Sequence, residues 1–164
     1  MFNIALILIT AVLSPSTGGG GSDGDRGFAR LKALEGSWVA TEAGHTTPGI
    51  FQLAAGGTTV VQQSGYLVVF HRDGSAIDAV LFTSENNQSR FRSTGLAKDA
   101  KTMRFTFIDS TNVKPGAIFA SGLEMDFEGT DLLVQRWKFK QGQKETGLTI
   151  TYRRKRDANP PGRP

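Results

Sequence analysis

The sequence predicts an all-β protein, a closed antiparallel up-and-down barrel of about ten strands preceded by a short helix. Three features of the 164-residue chain favour this fold class. Short strand-like segments follow one another with turn signals between them, and two late segments alternate apolar residues with charged ones. Hydrophobic residues make up 38% of the chain and charged residues 21%, which suits one globular domain.

The first predicted element is a helix over 28–34, because Phe28, Leu31 and Leu34 form one apolar stripe that ends before Gly36. After this glycine the pattern changes to strand-like runs. We predict ten strands, at 37–43, 49–54, 58–63, 66–71, 76–83, 89–94, 102–109, 121–128, 132–140 and 146–154.

Turn signals separate these strands. Asp73-Gly74 is typical of a two-residue hairpin, since both central residues of a type I′ turn need positive φ. The longest irregular stretch, 110–120, contains Pro115-Gly116. Tight turns favour antiparallel pairing of sequence neighbours, and ten strands are enough to close into a barrel that has no exposed edge. A two-layer sandwich is the alternative, although it usually needs more long crossovers.

The later strands indicate which side chains face inward. The strand at 121–128 alternates apolar with acidic residues, and the next strand alternates apolar with basic residues. If the two strands pair, opposite charges lie across one surface, which is therefore the outside. The inward set is then Met103, Phe105, Phe107, Leu123, Met125, Phe127, Leu133, Gln135, Trp137 and Phe139.

Two segments, 66–70 and 79–82, are apolar on both faces. A strand that is covered on both sides has this pattern. We therefore expect something to lie over the barrel there, and the candidates are the 28–34 helix, the 110–120 loop or a second subunit.

The N-terminal segment predicts export. Ile4 to Leu13 form an apolar run of ten residues, too short to span a bilayer but typical of the core of a signal peptide. Ser14 and Ser16 fit the small positions before a cleavage site. We predict a signal peptide at 1–16, a flexible Gly-rich spacer at 17–26, the barrel domain at 27–156 and a disordered Pro-rich tail at 157–164. The expected location is secreted or periplasmic. The alternative for the apolar run is a buried N-terminal strand.

The segment Leu31 to Trp38 reads LKALEGSW, a helix end followed by Gly-x-Trp. It resembles the entry of lipocalin-like barrels, which fatty-acid-binding proteins and nitrobindin-like barrels share. Over about residues 28–156 the chain is similar to uncharacterised exported bacterial proteins of lipocalin-like (calycin-type) fold. The resemblance implies the fold and no activity, because that group has none assigned. The matching stretches are Asn87-Gln88, Arg90, 105–109, Thr111-Asn112, Gly122-Leu123, 137–139, Gly142 and Lys144.

The chain departs from that group at four positions. Its members often place His and Cys around the Asn-Gln strand, and His just before the Gly-Leu pair. The comparable positions here are Leu81, Thr83, Phe119 and Ser121. The resemblance therefore implies no metal or catalytic role at them.

Composition excludes several kinds of chemistry. The chain has no cysteine, so disulfides, thiolate metal sites, thiol nucleophiles and lipoprotein anchors are excluded. The net charge is +4, but basic and acidic residues are intermixed, unlike the one-sided field of a nucleic-acid-binding protein. The dense basic cluster at 153–156 is interpreted as a solvated chain end.

No catalytic, metal or cofactor site is predicted. His45 and His71, the only histidines, lack ligand spacing, and haem binding of the nitrobindin kind would need a later histidine. A Ser or Thr nucleophile needs an adjacent base, and no strand–turn–helix nucleophile elbow is predicted. The paired carboxylates Glu124, Asp126 and Glu128 are assigned to the outer face, where their pKa values would not be tuned for catalysis.

Arg90 and Arg92 are the candidate polar handles for a ligand, because an inward guanidinium accommodates both oxygens of a carboxylate. The alternative is that both point outward. Asn87, Gln88 and Asn112 are predicted to add polar contacts at the barrel mouth.

The leading functional hypothesis is an exported barrel that binds a small apolar or amphipathic ligand, with no catalysis and no cofactor. The predicted lining consists of Met103, Phe105, Met125, Phe127, Trp137 and Phe139. The alternative is a solid-core structural or interaction barrel that acts through homodimerisation or partner contact. An enzyme that uses interior polar residues is the third hypothesis. Neither nucleic acid nor a stable membrane anchor after processing is expected.

Overall fold

The computed structural model describes residues 21–155, which form one α-helix, ten strands and a single 3-10 turn at Ala55–Gly57. The predicted signal peptide at 1–16 and the predicted tail at 157–164 lie outside the described residues. The elements are α1 (Asp23–Lys32), β1 (Gly36–Glu42), β2 (His45–Ala54), β3 (Thr59–Gln63), β4 (Leu67–Asp73), β5 (Ala76–Phe82), β6 (Gln88–Ser93), β7 (Thr102–Thr111), β8 (Phe119–Glu128), β9 (Leu132–Gln141) and β10 (Lys144–Arg154).

The strands form a closed antiparallel barrel in which every strand pairs with its sequence neighbours. Pairing of β1 with β10, from Trp38 opposite Arg154 to Thr41 opposite Thr151, closes the ring. The predicted all-β barrel of ten strands is therefore confirmed, and the sandwich alternative is excluded. We call the end that carries α1 the helix end and the opposite end the far end.

The helix begins earlier than the sequence pattern predicts. Ser22 caps it and Asp25 reciprocates in a capping box, so residues 23–26, which were assigned to a flexible spacer, are helical. Two glycines inside the helix allow a close approach to the barrel. A Cβ at Gly24 would lie 2.0 Å from the Ser75 carbonyl oxygen, and one at Gly27 would lie 2.9 Å from Ile77 Cδ1. The helix therefore packs directly onto the barrel end.

Trp38 helps to close the helix end. Its indole is 1% exposed, and Nε1 donates a hydrogen bond of 2.7 Å to the Leu34 carbonyl oxygen. The guanidinium of Arg154 lies 4.4 Å from the ring centroid. The same guanidinium donates to the carbonyl oxygens of Ala33 and Glu35, so it joins the last strand to the turn after the helix.

Side chains from opposite walls meet across the barrel. Phe91 of β6 contacts Trp137 of β9 with ring centroids 5.9 Å apart, and Phe70 of β4 contacts Phe105 of β7 at 5.8 Å. These edge-to-face and tilted contacts join strands that are three positions apart in the ring. The centre of the barrel is therefore occupied by aromatic side chains.

A polar network also crosses the interior. The amides of Gln62 on β3 and Gln135 on β9 exchange hydrogen bonds of 2.8 and 3.2 Å, although both side chains are buried. Gln62 Nε2 donates to Tyr152 Oη at 2.8 Å, and Tyr152 Oη lies 2.8 Å from Ser64 Oγ. Such a satisfied network favours one arrangement of the surrounding core.

Trp137 sets the direction of this network. Its Nε1 only donates, and it bonds Gln135 Oε1 at 3.2 Å. Gln135 must therefore present its oxygen to Trp137, and Gln62 must present its nitrogen to that same oxygen. Gln62 Nε2 then donates to Tyr152 Oη, and the hydroxyls of Tyr152 and Ser64 share a hydrogen bond that either of them can donate. One indole N–H thus fixes the orientation of the two buried amides.

The structure confirms which residues of β8 and β9 face outward, and it corrects which of these residues lie opposite one another. Leu123, Met125 and Trp137 are buried, whereas Glu124 and Arg136 face outward as direct partners. The expected stripe of opposed charges is incomplete, because Asp126 lies opposite Val134 and Lys138 lies opposite Gly122. Asp126 reaches Arg136 diagonally instead.

The network makes stability sensitive to alkaline pH. Burial raises the pKa of Tyr152 to about 12, and its hydrogen bonds with Ser64 and Gln62 offset only part of this rise. The unfolded pKa is about 10, so the stabilisation present below pH 10 is lost as pH rises toward 12. We expect the free energy of unfolding to fall by about 2–3 kcal/mol over this range.

Tyr152→Phe removes the ionisable group and should remove that decline, leaving only the change due to other groups. Urea unfolding followed by tryptophan fluorescence between pH 9 and pH 12 measures both slopes. Equal slopes in the two proteins would contradict the assignment.

Candidate ligand site

Strands β7 and β8 pair over only part of their length. Their pairing runs from Thr102–Asp126 to Thr106–Gly122 and ends there, although β7 continues along β6 and β8 continues along β9. A register shift on each strand accompanies this separation. Ile108 is the extra residue on β7, and Ser121 is the extra residue on β8. Bulges bend the strands that carry them, so β8 leaves β7 at Ser121.

Ser121 has an unusual environment. Its hydroxyl oxygen is buried, and it has no hydrogen-bond partner among the described residues. Leaving such a group unsatisfied costs about 1–3 kcal/mol. The next residue is Gly122, and the nearest atoms to a Cβ there would be those of the Lys138 side chain, at 3.4–3.6 Å.

The separation of β7 and β8 opens a cleft of about 520 Å³, within the usual range of about 300–1,000 Å³ for ligand pockets. Apolar residues at its walls are Phe105, Phe107 and Leu123. The charged residues that line it are Arg104, Arg136, Lys138 and Glu124. Three cations and one carboxylate give these lining residues a net charge of +2 (3 − 1).

Carboxylates hold the two arginines in place. Arg104 Nε donates to Glu124 Oε2 at 2.7 Å, and Arg136 bonds both Glu124 and Asp126. The hydrogen bond that Arg136 donates to Asp126 raises the pKa of Arg136, so this guanidinium stays charged. Lys138 is held more loosely, with Nζ 3.7 Å from Glu145 and a side chain that is 67% exposed. Lys138 is thus the cation most able to turn toward a ligand.

Arg90 and Arg92 lie on the outer face, which corrects the hypothesis of an inward handle. Arg90 Nε donates to Asp109 at 2.6 Å, and Arg92 bonds both oxygens of Asp78 at 2.7 and 2.8 Å. Hydrogen bonding to Arg92 keeps the pKa of Asp78 below its usual value. Both arginines point outward because the inward positions of β6 are taken by the buried Ser89 and Phe91.

The predicted mouth residues lie at the far end. The side chain of Asn87 is buried, where it accepts from Thr83 and donates to the Ile118 carbonyl oxygen at 3.0 Å. Gln88 is half-buried at the start of β6, and Asn112 is exposed after β7 with φ of 57°. Asn87 therefore fastens the 112–118 loop, and the three side chains do not converge on the cleft.

The predicted apolar lining belongs to the barrel core. Five of its six members are buried and Phe139 is half-buried against them. Only Phe105 of this set also lines the cleft. The cleft itself was not foreseen, because strand patterns predict where strands run and not where pairing stops. The one sequence signal was the departure at Ser121, directly before Gly122.

Other kinds of site find no support within residues 21–155. This part of the chain contains no group of three His, Asp or Glu residues placed to hold a metal ion. It also contains no helix long and apolar enough to cross a membrane. Comparison of the chain with family models and with curated proteins found no match.

The Ser121 hydroxyl can be tested in the free protein. Ser121→Ala removes a buried group without a described partner, so we expect the free energy of unfolding to rise by up to about 1 kcal/mol. Ser89→Ala is the matched control. Ser89 is fully buried and its hydroxyl lies 3.2 Å from Ser110 Oγ, so loss of this hydroxyl should destabilise by about 1 kcal/mol. Urea unfolding measures both changes, and equal destabilisation would mean that Ser121 is satisfied.

Proposed function

We propose that this protein is a small-molecule-binding barrel whose ligand is amphipathic, with an apolar chain and an anionic head group. The ligand would occupy the cleft between β7 and β8. The observation that carries this proposal is that a buried Ser121 hydroxyl without a described partner, an apolar wall and the loosely held Lys138 meet in one opening.

Each part of the cleft suits one part of such a ligand. Phe105, Phe107 and Leu123 offer apolar contact to a hydrocarbon chain. Lys138 offers a mobile charge to a carboxylate, while Arg104 and Arg136 stay paired with Glu124 and Asp126. Ser121 Oγ–H offers a hydrogen bond that no described residue accepts. A ligand oxygen that accepts this bond would recover the cost of the unsatisfied hydroxyl.

The cleft is favoured over the barrel centre as the binding site. The contacts of Phe91 with Trp137 and of Gln62 with Gln135 fill the centre from opposite walls. A ligand there would have to displace packed aromatic rings and break a satisfied polar network, whereas the cleft already has volume.

Binding is also favoured over nucleophilic catalysis at the same place. A serine nucleophile needs a base within hydrogen-bond distance to take its proton. Ser121 Oγ has no such neighbour in the described part of the chain. The hydroxyl is therefore suited to donating a hydrogen bond to a bound molecule.

Decanoate and 1-decanol are suitable probes, because they share a chain and differ in head-group charge. We expect Gly122→Val to weaken decanoate binding at least tenfold, because the new side chain fills the cleft while its Cβ meets only the flexible Lys138. Lys138→Gln should weaken decanoate about tenfold and leave 1-decanol unchanged. Titrations followed by ¹H–¹⁵N NMR give both affinities and locate the perturbed residues.

Gly147→Val is the matched control. Gly147 lies on β10, opposite Lys138 of β9 and outside the cleft. A Cβ at Gly147 would come no closer than 3.9 Å to another atom. It should leave decanoate binding unchanged. Failure of decanoate to bind, or binding that Gly122→Val does not weaken, would sink the proposal.

We also propose that the chain is exported. This rests on the apolar run from Ile4 to Leu13 followed by Ser14 and Ser16, the pattern of a signal peptide. Expression in a Gram-negative host followed by intact mass spectrometry should find a periplasmic product that begins near residue 17. Recovery of the complete chain from the cytoplasm alone would refute export without touching the ligand proposal.

A further inference from the structure

The backbone of β7 and β8 is unpaired where the two strands separate. Their last paired residues are Thr106 and Gly122. The next residues, Phe107 on β7 and Ser121 on β8, both line the cleft. On the sides away from the cleft, β7 continues along β6 and β8 continues along β9. Because a strand directs N–H and C=O groups to both of its sides, the cleft is bordered by two strand edges that have no partner strand within residues 21–155.

Gly122 leaves the edge of β8 without a side chain at this point. Neither conformation nor packing requires glycine there. The φ of Gly122 is not positive, and a Cβ would meet the flexible stem of Lys138 at ordinary contact distances of 3.4–3.6 Å. A glycine inside a strand often marks a bulge or a close approach by a ligand or another backbone. The extra residue of this bulge is Ser121, so the glycine beside it fits a close approach to the β8 backbone.

We propose that the ligand of the cleft is an N-acyl amino acid, in which an amide joins the apolar chain to the anionic group. This inference rests on the proposed function and names its ligand class. An amide carries one N–H donor and one C=O acceptor, the groups that a neighbouring strand would offer to the two edges. The acyl chain lies against Phe105 and Leu123, and the carboxylate meets Lys138. The amide lies between them, beside the edges at Phe107 and Ser121.

The length of the open edges favours a single amide. A plain fatty acid has no donor or acceptor between its methyl group and its head, so it would leave both edges without a hydrogen-bond partner from the ligand. A peptide needs a longer edge, because each residue extends a strand by about 3.3 Å. Of the residues beyond the last pair, only Phe107 and Ser121 line the cleft, one from each strand. One amide group matches this short opening.

Three anionic ligands with the same decanoyl chain test the inference, namely N-decanoylglycine, its ester analogue decanoyloxyacetate, and decanoate. The ester keeps the length and the carboxylate of the amide and replaces the N–H by an oxygen. The wild type should bind the amide at least about fivefold more tightly than the ester, because the ester loses one hydrogen bond to a strand edge. Titrations followed by ¹H–¹⁵N NMR measure the three dissociation constants and should place the largest shifts near Phe107 and Ser121.

Gly122→Ala tests whether the ligand approaches the β8 edge. It adds one methyl group there, and the preference for the amide over the ester should fall to less than about twofold. Gly147→Ala is the matched control, because Gly147 lies opposite the same Lys138 on the other side of β9, outside the cleft. It should keep the preference of the wild type. Circular dichroism of both variants establishes that they are folded.

The outcomes separate this inference from the function on which it rests. If the wild type binds decanoate in the cleft but binds the amide and the ester equally well, the inference is wrong and the proposed function stands. If none of the three ligands binds, both are wrong. A folded Gly122→Ala protein that keeps the full preference for the amide would also overturn the inference. So would much tighter binding of N-decanoyl-triglycine than of N-decanoylglycine, since it would assign the edges to a peptide.

Discussion

Closure of the barrel is the constraint on which the rest of the structure depends. Once β1 pairs with β10, every strand has a neighbour on both sides and ten inward faces enclose one limited space. Aromatic side chains from strands three apart then meet at the centre, as Phe91 and Trp137 do. The same closure brings Gln62 and Gln135 together although 73 residues separate them in sequence. The interior is thus filled as a consequence of the ring.

The position of the cleft follows from the same constraint. A closed ring can lose ladder hydrogen bonds at one joint without opening, provided that the strands on either side remain paired. Beyond Thr106 and Gly122, β7 is held by β6 and β8 is held by β9, so the joint separates locally. The bulges at Ile108 and Ser121 take up the change in direction. The cleft therefore adds a ligand-sized volume while leaving the core intact.

Much of the fold was predictable because it depends on local patterns. Alternation from Leu123 to Phe127 indicated the inner face, and glycine-containing turns indicated where strands end. The capping box formed by Ser22 and Asp25 is a sequence signal for a helix start, but the glycines around it are typical of a flexible spacer. These glycines allow the helix to approach Ser75 and Gly95 closely, which local sequence does not show. The inward hypothesis for Arg90 and Arg92 was wrong in direction, because two arginines on one face do not reveal that Asp78 and Asp109 share it. The cleft depends on where the pairing of β7 with β8 stops, and that depends on four strands together, β6 to β9.

The contrast between Ser89 and Ser121 explains why the cleft is the stronger candidate for function. Both are small polar residues within strands, and Ser89 is satisfied by Ser110 at 3.2 Å. Most buried polar groups in the described barrel have a hydrogen-bond partner, as the network from Trp137 to Ser64 illustrates. Ser121 alone among the described side chains has a buried hydroxyl without a partner, and it lies where the strands separate. In the proposed binding mode, a ligand oxygen accepts the Ser121 hydrogen bond and recovers a cost of about 1–3 kcal/mol.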